Sequence, residues 1–147
     1  MQTIYFDENF AKDIHDEIIR ISGGRAGVHD LGLVSSVLEL IQVDSYYQSF
    51  EEKLTHLIFS INKNHAFVDG NKRSSIALGA YFLKINGYEY CEKKFIYEME
   101  NIAVSVADNI ISKDLLQKII VSLLYEIDYS EELKLEIFET LCANEEY

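Results

Sequence analysis

Ser74-Ser75-Ile76-Ala77-Leu78-Gly79-Ala80-Tyr81-Phe82-Leu83-Lys84-Ile85-Asn86 is apolar on nearly every side of a helical wheel, with Gly87 as its stop. A helix of that kind belongs in the middle of a bundle rather than on its surface. The pieces on either side have the opposite character, one apolar stripe each. Asp7 can cap a first helix to about Ile21, carrying Phe10, Ile14, Ile18 and Ile21 and ending at Gly23-Gly24. Asp30 opens a second, with Leu33, Val34, Val37, Leu38 and Ile41. Ser49 opens a third, striped by Leu54, Leu57, Ile58 and Ile61. Helices near 93–107, 113–126 and 130–143 follow, and Tyr88-Glu89-Tyr90-Cys91 alternates as a short strand would. The fold expected is all-α: a compact helical bundle around a central buried helix, with at most a short β-hairpin. No repeat, linker or low-complexity run divides the chain.

Charge narrows the function classes. The 147 residues hold 13 Lys+Arg against 25 Asp+Glu, a net charge of −12. Such a chain lacks the basic face that neutralises nucleic-acid phosphates, and it would be repelled by an anionic membrane surface. The excess is uneven. Residues 126–147 carry eight acids and one base, −7, and residues 1–125 carry 17 acids and 12 bases, −5. The chain therefore reads as a main domain over 1–125 and an acidic helical extension over 126–147. In the extension Leu133, Ile137, Phe138 and Leu141 form a stripe that would dock on the bundle. Cys91 and Cys142 share no metal-ligand spacing and no signal peptide precedes them, which fits a cytoplasmic protein with reduced thiols.

The polar run before the central helix, His65-Ala66-Phe67-Val68-Asp69-Gly70-Asn71-Lys72-Arg73, concentrates chemistry. A helix N-terminus presents unpaired N–H groups, and Gly70 lets the backbone curl around an anion. Asn71, Lys72 and Arg73 add donors and charge for phosphate. Asp69 is the kind of single carboxylate Mg²⁺ takes beside phosphate oxygens. His65 is the nearby group able to take a proton near neutral pH. Phe67, between the polar positions His65 and Asp69, points inward as an anchor. Lys63 offers a further phosphate contact or is a solvated helix-end lysine. Taken singly, each residue also has an ordinary reading as a turn or a solvated face.

Together the nine residues resemble the motif of the Fic/Doc family, His-x-Phe-x-[Asp/Glu]-x-Asn-[Gly/Lys]-Arg. His15-Asp16 through Gly23-Gly24, Gly27 to Val34, and Lys84-Ile85-Asn86-Gly87-Tyr88 extend the likeness to Doc toxins over roughly residues 3 to 125. The resemblance implies a helical bundle that transfers part of a nucleoside triphosphate, with Mg²⁺, to a protein hydroxyl. In it His65 would be the base, Asp69 the Mg²⁺ ligand, Phe67 the anchor, and Gly70, Asn71 and Arg73 the phosphate binders. Three positions depart from the commonest Fic pattern: Ala66 for proline, Lys72 for glycine, and Ile76 for a second arginine. Losing that arginine removes a bidentate phosphate contact, and lysine adds bulk where backbone would approach the phosphates. Doc toxins share the lysine and the missing arginine. The resemblance therefore implies transfer of the γ-phosphate of ATP to a Thr or Ser hydroxyl, with elongation factor Tu as family precedent and inhibition of translation as the outcome. Adenylyl transfer and a non-catalytic binding module are the alternatives. Ser35…Glu39 and Ser122…Glu126 match only the first part of the family's inhibitory helix pattern, being followed by Leu40 and Ile127. A separate Phd-like antitoxin would then supply any block in trans.

Overall fold

Side-chain caps set where most helices begin. In the computed structural model, which describes residues 2–143, Asp7, Asp30, Ser49, Ser112 and Ser130 each accept a backbone N–H of the following turn. They open α1 (Glu8–Ser22), α2 (Leu31–Leu40), α3 (Phe50–Lys63), α6 (Lys113–Tyr125) and α7 (Glu131–Cys142). Between them lie α4 (Asn71–Ile85) and α5 (Glu92–Ala107).

α4 is the central helix that its composition demands. It packs against α1, α3 and α5, and within it only Lys72 and Lys84 are exposed. Phe82, Leu78 and Leu83 are fully buried, in one core with Leu57, Ile58, Phe95, Met99 and Leu116. At Gly79 an added Cβ would meet Ile58 Cγ1 at 2.9 Å and Phe95 Cζ at 3.0 Å, so α3 and α5 approach α4 as closely as they do because that side chain is missing.

Several expectations need correcting. Tyr88–Cys91 is not a strand: Glu89–Cys91 forms a 3₁₀ turn leading directly into α5. The one extended pairing among the described residues is an isolated bridge between Val28 and Phe67, within the limit of at most a short hairpin. α1 faces inward through the fully buried Ala11 and His15, with Phe10 and Ile14 of the expected stripe packed half-buried on the core; Ile21, placed on that stripe by spacing, is 69% exposed because the helix is ending there. α7 rests on α6 through Leu133 and the half-buried Ile137, but Phe138 is 64% exposed. Half of its expected stripe is therefore uncovered. Of the acidic extension over 126–147, Glu145 and Glu146 lie outside the described residues. Cys91 and Cys142 are both free thiols, and no described helix is long and apolar enough to cross a membrane.

Candidate functional site

α4 begins unlike any other described helix: no side chain caps it and no acid sits in its first turn. Gly70, its N-cap, takes the left-handed conformation (φ 78°) that turns the chain into the helix. Lys72 and Arg73 follow at once. Cations at a helix N-terminus oppose the dipole, so this end is electrostatically complete only with an anion in front of it.

The loop leading into α4 is held from several sides. Phe67 is fully buried, and Val28 pairs with it across the bridge. The Ala66 carbonyl accepts the N–H groups of His29 (2.8 Å) and Asp30 (3.1 Å), and Val68 N–H donates to Gly27 O (3.1 Å). Asn71 closes the loop internally: its Oδ1 accepts Phe67 N–H at 3.2 Å and its Nδ2 donates to Phe67 O at 2.9 Å. This anchoring leaves His65 exposed at the mouth, with a left-handed backbone (φ 52°) that is costly for a residue bearing Cβ.

His65, Asp69, Gly70, Asn71, Lys72 and Arg73 line one cleft of about 240 Å³, with Asn62, Val68 and Ala107 completing the wall. The Asp69 carboxylate accepts Arg25 N–H at 3.0 Å and Gly70 N–H at 2.8 Å. Those two backbone donors, followed by the charge of Arg73, hold its pKa below the ordinary carboxylate value. Arg73 donates from Nη1 to Gly23 O at 2.9 Å, with four further guanidinium protons remaining for other acceptors.

Asp69 fits Mg²⁺ as a single ionised ligand whose oxygens each keep a free lone pair. No group of three or more His, Cys, Asp or Glu among the described residues could hold a metal unaided. The remaining ligands would have to be phosphate oxygens and water. A larger groove, about 670 Å³ between α6 and α7, is lined by Asp114, Glu126, Glu132 and Glu136 with Lys118. Its carboxylates would repel a triphosphate, and it holds no histidine.

Two of the expected phosphate contacts are otherwise engaged. Lys63 turns away from the cleft, bonding Val106 O at 3.2 Å and the Asn109 side-chain oxygen. Asn71 spends both polar atoms of its amide on Phe67 and faces the cleft as part of its wall.

Three residues were not assigned to the site from the sequence. Asn62 is buried at the cleft, donating to Ala103 O at 2.9 Å with its Oδ1 unpartnered. Gly24 lies against the site: a Cβ there would come within 2.7 Å of Asp69 Oδ2 and 2.9 Å of Arg73 Nη2. His15 is fully buried beneath Phe67, with ring centroids 4.0 Å apart and planes at 6°. Its signal was available in part, as a histidine four residues after Ala11 on the inward face of an amphipathic helix.

Comparison with known proteins agrees with this arrangement. The model of the Fic/DOC family matches residues 5–83. The chain is 34% identical to the toxin Doc of Mycolicibacterium smegmatis over 89 residues, covering 58% of this chain and 68% of that protein. It is 28% identical to the protein kinase doc of Escherichia phage P1 over 103 residues, 67% of this chain and 79% of that protein. The matched region runs from the entry to α1 nearly to the end of α4 and contains the whole loop from His65 to Arg73. With that loop set before a central, uncapped helix, the chain belongs to the Fic/DOC family.

Proposed function

We propose that this protein is a Doc-type toxin that transfers the γ-phosphoryl group of ATP to a Ser or Thr hydroxyl of a protein target. The observation that carries the reading is the cleft in which an exposed histidine, an ionised aspartate and an arginine gather at an uncapped helix N-terminus. In this reading the exposed imidazole of His65 takes the proton of the incoming hydroxyl. The hydroxyl oxygen forms its bond to the γ-phosphorus as the bond from that phosphorus to the β–γ bridging oxygen breaks, and ADP leaves with the electron pair. The N-terminal N–H groups of α4, with Arg73 and Lys72, balance the charge of the transferred group. Mg²⁺, when bound at Asp69, would neutralise phosphate oxygens and fix their position.

The choice of phosphoryl over adenylyl transfer is supported at residue 76, where Ile76 packs against the core and supplies no guanidinium. The relative named a protein kinase points the same way. Elongation factor Tu is the first target to try, and a Phd-like antitoxin the corresponding partner.

The test uses ATP labelled at the α- or the γ-phosphate with purified elongation factor Tu. Label is expected from the γ-phosphate alone, and His65→Ala should cut the rate by about 10²–10⁴-fold. Label from the α-phosphate would establish adenylyl transfer instead. Wild-type toxicity of His65→Ala in cells would mean a binding module.

A further inference from the structure

We infer that His15 is a positioning residue that orients the Asp69 carboxylate through a single peptide group, an inference that rests on the reading of Asp69 as the Mg²⁺ ligand. His15 Nε2 lies 2.5 Å from Asp69 O. A carbonyl oxygen can only accept, so Nε2 carries the proton. Nδ1 has no hydrogen-bond partner, the Asp16 carboxylate oxygen lying 3.6 Å away, beyond hydrogen-bond distance.

The peptide whose oxygen His15 holds is the one joining Asp69 to Gly70. Its other end is Gly70 N–H, which donates to Asp69 Oδ1 at 2.8 Å. Because a peptide is planar, fixing the oxygen fixes the direction of the N–H. The bond at the oxygen also polarises the group and strengthens its N–H as a donor. A histidine on α1 thus reaches the carboxylate without touching it, as outer-shell partners do for metal ligands.

The position leaves little freedom. His15 is fully buried, stacked on Phe67, and an added Cβ on Gly70 would sit 3.5 Å from its Nε2. The stack sets the ring plane and the hydrogen bond sets the peptide. Any apolar side chain could fill the space, but only a donor at the Nε2 position does both.

The experiment compares the full chain with His15→Gln, which keeps a donor where Nε2 stood, and His15→Phe, which keeps a ring without one. Ala11→Gly, one turn earlier on the same buried face, is the control for general loosening of α1. Two readouts are taken: the Gly70 amide shift by ¹H–¹⁵N NMR, and Mg²⁺ binding in the presence of ADP by calorimetry. His15→Phe should move the Gly70 amide and weaken Mg²⁺ by about tenfold or more. His15→Gln should restore both towards wild type, and Ala11→Gly should change neither.

Wild-type values in His15→Phe, or equal losses in His15→Phe and Ala11→Gly, overturn the inference. If His15→Phe does not fold, the imidazole of the wild-type protein decides: a proton on Nε2 supports it, and a ring protonated on Nδ1 but not on Nε2 overturns it. Should the wild type bind no Mg²⁺ with ADP, the nucleotide reading fails, and the Gly70 amide still tests His15.

Discussion

Asn71 and Phe67 form a closed pair, the amide of one bracketing both backbone polar groups of the other at 3.2 and 2.9 Å. The bracket spans one helical turn and joins the buried anchor of the loop to the first residue of α4. It makes Asn71 a brace for the loop that presents His65.

Asn71→Ala should therefore cost stability as well as activity. Two hydrogen bonds at a half-buried position are worth about 1–3 kcal/mol together. Urea unfolding measures that loss. Phosphate transfer should fall further than the unfolded fraction explains, because the loop loses its register while the core persists.

Gly23 and Gly24 separate strain from contact. Both have positive φ, 84° and 114°, so alanine at either is strained. Nothing lies within 4 Å of a Cβ on Gly23, whereas one on Gly24 collides with Asp69 and Arg73. Both substitutions should destabilise by about 1–3 kcal/mol. Nucleotide affinity, followed by fluorescence with a labelled ADP, should drop only for Gly24→Ala.

His56 gives the fold an acid-sensitive point remote from the cleft. Its Nδ1 faces Lys113 Nζ at 2.8 Å and Tyr47 Oη at 3.0 Å, and its ring stacks on Tyr47. Burial, and then the Lys113 charge, lower its pKa from 6.5 to about 4. The folded state thus binds fewer protons than the unfolded chain between those values. Stability from this group is complete above pH 6.5 and is lost as pH falls towards 4. For a half-buried, solvent-screened group the loss is about 1–2 kcal/mol. Thermal melts of His56→Gln against wild type should diverge less at pH 4.5 than at pH 7.5.

Removing the chain from Ile127 onward tests what α7 does. Its packing is with α6, and none of its residues lines the cleft. Nucleotide binding and phosphate transfer should stay within about twofold of wild type, since no cleft side chain is lost.

What could be read from the residues in order was whatever acts over a turn or less. Asp7, Asp30 and Ser49 cap helices through bonds two or three residues away, and the structure adds Ser112 and Ser130 by the same local bond. The all-round apolar pattern of 74–86 is enough to bury α4. The nine-residue motif carried the family, since its chemistry is contiguous.

Other features depend on which helix faces which, and spacing along the chain does not encode that. His15 meets Asp69 across 54 residues, and Arg25 reaches the same carboxylate across 44. Lys63 could be assigned to phosphate from its place beside the motif, but the end of α5 supplies two nearer acceptors. α7 has an apolar stripe in sequence and only half a partner in space. Local hydrogen bonding and hydrophobic periodicity therefore determined the helices and the motif. The crossing of α1, α3 and α5 over α4 decided which of those side chains surround the cleft, because that crossing follows from close packing between distant segments.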